Sequence, residues 1–136
     1  MHRFEKAGAM PRLQILRLPN DHTAGTKVGS LTPTALVADN DLGLGRVVEA
    51  VSKSTFWNET AIFVIEDDAQ GGVDHVDAHR SPVLVISPYV KSGFVSHRHC
   101  SMASGQKTIY ELLGVVLLDL EDALAAAVSD RFTDPP

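Results

Sequence analysis

Acidic and imidazole side chains are concentrated in one polar segment between the apolar runs "AIFVI" and "VLVIS". They are Glu66, Asp67, Asp68, Asp74, His75, Asp77 and His79. Carboxylate oxygens and imidazole nitrogens together suit Zn²⁺, Mn²⁺ and iron ions as protein ligands. Loops between buried strands are also polar without binding anything. The segment is therefore either one wall of a metal site or a solvated turn.

Three apolar runs predict the strands that would position such a site. The first is "LQILRL" at 13–18, and the other two, 60–66 and 82–87, are continuous and rich in β-branched residues. Runs of this kind indicate strands that are buried on both faces. Apolar residues at helical spacing predict a helix over 34–53, with Thr32 as its N-cap.

The rest of the chain predicts shorter elements. We expect an edge strand around Phe94, a helix within "SMASGQKTIYELLGVV" at 101–116, a further helical segment over 120–128 and a frayed tail at 133–136. The order strand, helix, strand, strand, helix is typical of an α/β fold. The prediction for 1–136 is a single domain with a mixed, mostly parallel sheet and covering helices.

The predicted sheet brings polar residues to one edge. The helix over 34–53 is long enough to be a right-handed crossover, which would make strands 13–18 and 60–66 parallel. Loops at the carboxyl ends of parallel strands converge and form ligand sites. Candidate ligands that follow these two strands are Asp21, His22, Asp67 and Asp68. They are therefore expected to lie close together.

His79 reaches the same edge only if strand 82–87 runs antiparallel to strand 60–66. Gly71 and Gly72 make the intervening segment a poor helix, so an antiparallel return is simpler than a helical crossover. Asp and His side chains at three strand ends would suit one or two divalent metal ions. Two ions would stabilise the attacking and leaving oxygens of a phosphoryl transfer.

Composition and charge argue against several classes of protein. The net charge of −5 and the scatter of the 12 Lys and Arg residues argue against a nucleic-acid surface. No run approaches the roughly 18 apolar residues that cross a bilayer, and the opening "MHRFEKAG" lacks the apolar region of a signal peptide. The single Cys100 excludes an internal disulfide and a cysteine-based zinc site. A soluble chain is expected, and its compartment is open.

Four longer stretches resemble one protein family. They are "RLPNDHTAGT", "VADNDLGLGRVVEAVSKS", "AIFVIEDDAQGGVDHVDAHRSPVLVISPYVK" and "KTIYELLG". From about residue 11 to 132 the chain resembles the carboxyl-terminal half of bacterial phosphoesterases of the alkaline phosphatase superfamily, in the phospholipase C and acid phosphatase branch. The resemblance implies an α/β/α sandwich that hydrolyses phosphate mono- or diesters with a metal-activated hydroxyl. The substrate would be a phosphorylated small molecule or a phosphodiester.

The resemblance also implies roles for individual residues. The motif "NDHT" suggests Asp21 and His22 as metal ligands or phosphate-site groups. The motifs "EDD" and "AHRSP" suggest Asp67, Asp68 and His79 as metal ligands. The metal is expected to be Zn²⁺ or Mn²⁺, as one ion or two. Residues that would orient a ligand or contact phosphate, or else lie at the surface, are Asp74, His75 and Arg80.

One part of the family pattern is not found. The family carries its Ser or Thr nucleophile in an amino-terminal region, on a helix N-terminus. No Ser or Thr of this chain has a matching context, and Ser81, Ser87 and Thr23 near the proposed edge carry no mark of activation.

Three interpretations follow from that gap. In the first, the chain is a phosphoesterase that needs a missing half, a partner chain or a homo-oligomer. In the second, it is a catalytically silent metal- or phosphate-binding module. In the third, it is a truncated product that binds no metal. A missing strand would leave an exposed sheet edge, through which another chain can pair. Members of the family are often periplasmic or secreted.

Overall fold

A computed structural model describes residues 1–66 and 81–133. Its helices are α1 (His2–Ala7), α2 (Pro33–Ser52), α3 (Met102–Leu113) and α4 (Leu120–Leu124), its strands are β1 (Ile62–Ile65) and β2 (Val83–Ile86), and its 3-10 turns are Pro19–His22, Trp57–Glu59 and Ser129–Arg131. None of the helices in this described part combines the length and apolar character needed to cross a bilayer.

The described residues form two compact units. The amino-terminal unit comprises 1–60, and the carboxyl-terminal unit comprises 61–66 and 81–133. The single domain predicted over 1–136 stays a prediction. Of the predicted tail at 133–136, only the first residue is described.

In the amino-terminal unit, α2 begins where the sequence predicts it. Thr32 is extended, and its Oγ1 accepts a hydrogen bond from the Ala35 N–H at 3.3 Å. Pro33 follows at the first helical position, where a backbone N–H has no partner within the helix. The missing N–H of proline therefore costs no hydrogen bond. Because α2 ends at Ser52, the predicted helix over 34–53 is confirmed.

The predicted strand at 13–18 is wrong. Among the described residues this segment pairs with no strand, so the expected parallel pairing with 60–66 is wrong as well. Ile15 and Leu16 are 91% and 63% exposed. A short apolar run becomes a strand only where a neighbouring backbone accepts and donates its hydrogen bonds, and the local sequence does not specify that neighbour.

In the carboxyl-terminal unit, β1 and β2 form an antiparallel pair. Ile62 lies opposite Ile86, and Ile65 lies opposite Val83. The predicted antiparallel return is therefore confirmed. The described residues contain four α-helices and this two-stranded sheet, so the predicted mixed, mostly parallel sheet of an α/β/α sandwich is wrong. An apolar run indicates burial, but it does not set the number or direction of partner strands.

The centre of the carboxyl-terminal unit lies where α3 meets β1 and the chain near Val128. A Cβ at Gly105 of α3 would lie 3.2 Å from Ile65 Cδ1, so glycine allows this close approach. The Thr108 hydroxyl donates to the Ser104 carbonyl at 2.8 Å and accepts from the Val128 N–H at 2.9 Å. Thr108 and Val128 are only 4% and 2% exposed. A satisfied polar side chain therefore joins the helix to the later chain.

The end of the described chain pairs with the residues that follow β2. Val90 and Phe132 form an isolated antiparallel bridge, and the Thr133 N–H donates to the Tyr89 carbonyl at 2.7 Å. No strand forms around Phe94 within the described ranges, so that predicted edge strand is wrong. Extended pairing occurs a few residues earlier because the partner backbone lies there.

The two predicted helices that correspond to α3 and α4 are confirmed, but both end earlier than predicted. α3 stops at Gly114, whose φ of 68° is the left-handed conformation that commonly ends a helix. α4 stops at Leu124, short of the predicted segment 120–128. Beyond that point, Lys107 Nζ donates to the Ala125 carbonyl at 2.9 Å and holds the chain in a non-helical course.

Candidate functional site

Asp21 and His22 lie in the turn Pro19–His22, which precedes α2 in the amino-terminal unit. The side chain of Asn20 connects this turn to α2, because its Nδ2 donates to Asp39 Oδ2 at 2.5 Å. The two predicted ligands are thus on a turn whose position is set by a side-chain contact to a long helix. Asp21 is half-buried and His22 is exposed.

The ring of His22 contacts the backbone that follows it. Its Nδ1 lies 3.3 Å from the carbonyl oxygen of Thr23. A carbonyl only accepts hydrogen bonds, so this contact is a hydrogen bond in the tautomer that carries the proton on Nδ1. His22 also has a further interaction, so this contact alone does not assign Nε2 to a metal ion. Metal-binding histidines typically donate their other ring N–H to a carbonyl or carboxylate in this way.

The backbone is strained directly after His22. Thr23 has φ 49° and ψ 167°, outside the regions that side chains with a Cβ adopt easily. It alone has positive φ among the non-glycine residues that the structure describes. Such a conformation costs about 1–3 kcal/mol and persists where the surroundings impose it, most often at ligand sites and switches.

A pocket of about 390 Å³ opens beside the same turn. The polar residues on its wall include Arg17, Asn20, His22 and Thr23. The apolar residues include Pro19 and Leu36. Small-molecule sites commonly enclose about 300–1,000 Å³ and combine apolar walls with a few convergent polar groups. The volume falls in this range, and the pocket is wide open to solvent.

In the carboxyl-terminal unit, the residues that flank the acidic segment are in contact. The Ser81 hydroxyl donates to the Glu66 carbonyl at 2.6 Å, next to the Ile65–Val83 pair. The predicted site residues between these two positions lie outside the described residues and stay predictions: Asp67, Asp68, Asp74, His75, His79 and Arg80.

The described residues alone do not form a metal centre. No group of three or more His, Cys, Asp or Glu side chains gathers within the described ranges. Asp21 and His22 would therefore need ligands from elsewhere. The parallel strands that were expected to bring them to Asp67 are not present among the described residues, so their proximity to the acidic segment stays a prediction.

The hydroxyls near the proposed edge form ordinary hydrogen bonds to the backbone. Ser81 donates to a carbonyl, Ser87 Oγ accepts from the Tyr89 N–H at 3.3 Å, and Thr23 Oγ1 accepts from the Gly25 N–H at 3.3 Å. Backbone groups do not activate a nucleophile, which needs an adjacent base or a metal. These contacts assign no nucleophile.

Sequence reasoning did not identify several residues that build the turn. Arg17 lines the pocket, Asn20 and Asp39 connect the turn to α2, and Leu18 packs 3.7 Å from the position of a Cβ at Gly43. Asn20 stands inside the motif "NDHT" and Arg17 stands three residues before it, so their nearness to the motif was the available signal. The contact to Asp39 spans nineteen positions and leaves no local pattern.

Comparisons of the chain with family models, with curated proteins and with solved structures found no match. The resemblance to phosphoesterases therefore depends on its sequence motifs alone. The function it implies is accordingly a proposal, supported by the contacts of the described residues.

Proposed function

We propose that the chain carries metal ligands of a phosphoesterase that hydrolyses phosphate mono- or diesters. The observation that supports this most is the hydrogen bond between Ser81 and Glu66 at the end of the β1–β2 pair. Asp67 follows Glu66 directly, and His79 precedes Ser81 by two positions. Covalent geometry allows at most about 7 Å over two residues. In the sequence, a carboxylate and an imidazole thus directly adjoin the residues that form this hydrogen bond.

The contact of His22 with the backbone is a second support. Its Nδ1 lies 3.3 Å from the Thr23 carbonyl oxygen, and metal-binding histidines often donate one ring N–H to a carbonyl. Carboxylate and imidazole ligands together favour Zn²⁺ or Mn²⁺, as one ion or two. When bound, such an ion would polarise phosphoryl oxygens and favour the ionised form of an attacking hydroxyl. Asp67, Asp68 and His79 are the residues proposed to hold it, together with His22 and Asp21.

A catalytically silent metal- or phosphate-binding module is the second candidate. The hydrogen bonds of Ser81, Ser87 and Thr23 to backbone groups favour it, because none of these bonds prepares a nucleophile. The pocket beside the turn would serve such a module equally well, since binding requires no reacting hydroxyl.

A second chain is a proposed partner. Within the described residues β1 and β2 pair only with each other, so each strand leaves one edge without a neighbouring strand. Two-stranded sheets are marginally stable alone, and open strand edges accept further strands. A second copy or a complementing chain could add a strand there.

Metal content tests the proposed function first. Mass spectrometry of the untagged chain after incubation with Zn²⁺ or Mn²⁺ should find near-stoichiometric metal. Asp67→Ala and His79→Ala should each lose most of it, because each removes a ligand. Asp77→Ala, an acid of the same segment that is not proposed as a ligand, is the matched control and should keep the metal. Full metal content in both ligand variants would contradict the proposal.

Turnover separates the two candidates. A generic aryl phosphate is incubated with the metal-loaded chain, alone and at concentrations that favour oligomers. Hydrolysis that Asp67→Ala abolishes supports the phosphoesterase. Bound metal without hydrolysis at any chain concentration supports the silent module.

A further inference from the structure

Large apolar side chains are exposed from the end of α3 to the end of α4 in the carboxyl-terminal unit. We call 111–124 the apolar strip. Five of its side chains are 56% to 84% exposed: Leu112, Val116, Leu118, Leu120 and Leu124. Single exposed leucines are ordinary on a folded protein. A dense run of them is not, and it marks an interaction surface.

The exposed charges of the apolar strip are negative. They are those of Glu111, Asp119 and Glu121, and 111–124 contains no Lys, Arg or His. In the described part of the chain, no lysine or arginine forms an ion pair with them. Lys107 donates to two carbonyls at the end of α4 and offsets part of this charge. Three carboxylates against one ammonium still favour a partner that is apolar and positively charged.

A segment of that chemistry lies in the amino-terminal unit. Residues 11–17 are all exposed, and we call them the basic segment. Its large apolar side chains are more than half exposed: Leu13, Ile15 and Leu16. Because both surfaces are exposed in one chain, a single copy does not cover either of them.

The basic segment has the charge that the apolar strip requires. Arg12 and Arg17 lie on it, and Lys6 precedes them, whereas no acidic residue occurs from 6 to 20. Asp21 and Asp39 lie at the turn that follows the segment and offset part of this charge. Three cations against these two carboxylates leave a positive excess. Opposite local charges steer two such surfaces together and disfavour contact between two strips.

Two copies satisfy both surfaces at once. In a two-fold symmetric pair, the basic segment of each copy contacts the apolar strip of the other. Each copy then buries five apolar side chains of the strip and three of the segment. At up to about 100 Å² each, they approach the roughly 800 Å² per partner of a standard interface. Either surface alone falls short of that area, so the reciprocal arrangement is favoured.

We propose that the chain forms a homodimer in which the basic segment of each copy docks on the apolar strip of the other. This contact uses no metal ligand and no free strand edge of β1 or β2. It therefore goes beyond the proposed function and does not depend on it.

Analytical ultracentrifugation of the untagged full chain, after metal removal with a chelator, tests the proposal. The parent should change from one copy to two as its concentration rises through the micromolar range. Ile15→Asp and Leu118→Asp should each raise the dissociation constant at least about tenfold, because each places a charge inside the contact. Val28→Asp changes an exposed apolar residue outside both surfaces and is the matched control. All three variants should keep the helix content of the parent in circular dichroism.

Reversed charges test which surfaces meet. One variant carries Arg12→Glu and Arg17→Glu, and a second carries Glu111→Lys and Glu121→Lys. Neither variant should self-associate, because like charges would face each other in both contacts. An equimolar mixture should form mixed dimers with an affinity near that of the parent, since both contacts again join opposite charges.

The outcomes separate this proposal from the proposed function. Asp67→Ala should lose metal but keep the dissociation constant of the parent dimer. A parent that stays monomeric at every concentration would mean that another partner covers the apolar strip, and would overturn the proposal. A dimer that persists in Ile15→Asp and Leu118→Asp would also overturn it, because the contact would then lie elsewhere, for instance at the sheet edges. Equal weakening by Val28→Asp, or reversed-charge variants that do not combine, would do the same.

Discussion

In the carboxyl-terminal unit two hydroxyl side chains of α3 are buried, whereas in the amino-terminal unit polar side chains surround a surface turn. Ser104 and Thr108 are 2% and 4% exposed and exchange hydrogen bonds with the helix and with the later chain. In the amino-terminal unit, Arg17 and His22 are exposed beside a pocket, and Thr23 is strained.

This difference indicates which polar groups are used by the fold and which are available for binding. A buried hydroxyl with two backbone partners is needed for stability and cannot change partners without cost. An exposed arginine without a described partner and a strained threonine add nothing to stability. Substitutions at the buried hydroxyls should therefore cost more stability than substitutions in the turn.

The largest effect on stability is expected at Thr108. Thr108→Val keeps the shape of the side chain but removes the oxygen that accepts from the buried Val128 N–H. Leaving that donor unsatisfied should lower the free energy of unfolding by about 1–3 kcal/mol, measured by urea denaturation. Thr108→Ser keeps the hydroxyl and should cost about 0.8 kcal/mol for the lost methyl group. A Val variant as stable as the parent would remove the contrast between the two units.

A smaller effect is expected at the start of α2. Thr32→Ala removes the oxygen that accepts from the Ala35 N–H, and should cost about 1 kcal/mol. Thr32→Ser keeps the cap and should be close to the parent. Thermal unfolding followed by circular dichroism measures both. Equal losses in the two variants would show that the methyl group, not the cap, matters here.

The strained residue Thr23 allows a prediction in which glycine is more stable than alanine. Thr23→Gly should be more stable than Thr23→Ala by about 1 kcal/mol, because glycine adopts positive φ without a steric cost while alanine does not. Both variants lose the hydroxyl that accepts from Gly25 N–H, so that contact cancels in the comparison. Denaturation of the pair gives the difference directly. Equal stabilities would mean that Thr23 carries no strain.

The smallest effect is expected at the surface of the carboxyl-terminal unit. The pKa of Asp130 is lowered from its ordinary value of 3.8, mainly because the Ser96 hydroxyl donates to it at 2.6 Å, with Arg131 and Arg98 adding to the effect. A carboxyl whose folded pKa is depressed contributes stability above pH 3.8 and loses it as the pH falls through the lower, folded value.

Ser96→Ala should therefore raise the pKa of Asp130, measured by NMR titration of its side-chain carbonyl. Acid unfolding should begin at slightly higher pH in this variant. Ser101→Ala, which removes a serine of α3's capping box and no partner of Asp130, should leave that pKa in place. An unchanged pKa in Ser96→Ala would show that the arginines, rather than the serine, control this carboxyl.

The sequence predicted the elements whose causes are local. Thr32 and Pro33 mark the start of α2 through a cap and a ring that fit the first helical turn. The antiparallel return into β2 could be predicted because Gly71 and Gly72 argue against a crossover helix. These signals act within a few residues, so a pattern in the chain reveals them.

The wrong predictions concern elements that need a distant partner. Segment 13–18 has the composition of a strand but no described backbone to pair with. Phe94 has a similar composition around it, yet the extended bridge forms at Val90, because Phe132 lies opposite. The helix predicted to 128 stops at Leu124, since the Val128 N–H bonds to Thr108 rather than to a preceding turn.

The candidate site also has features that the local sequence predicted and features that depend on distant contacts. The residue types at Asp21 and His22 were visible as a motif, whereas the contact of Asn20 to Asp39 and the pocket around Arg17 arise only when the turn meets α2. Spacing along a chain identifies possible ligands. It does not identify the helix that holds them.

The hydrogen bond between Ser81 and Glu66 has a consequence for how this protein can change. It closes the strand pair at the point where the chain leaves β1 and returns to β2, so the length of the intervening stretch is not set by the sheet. Doubling the length of such a loop costs only about 0.6 kcal/mol. Evolution or an engineer could therefore lengthen, shorten or exchange the sequence between these two residues, for instance for a reporter peptide, while the register of the strands stays as it is.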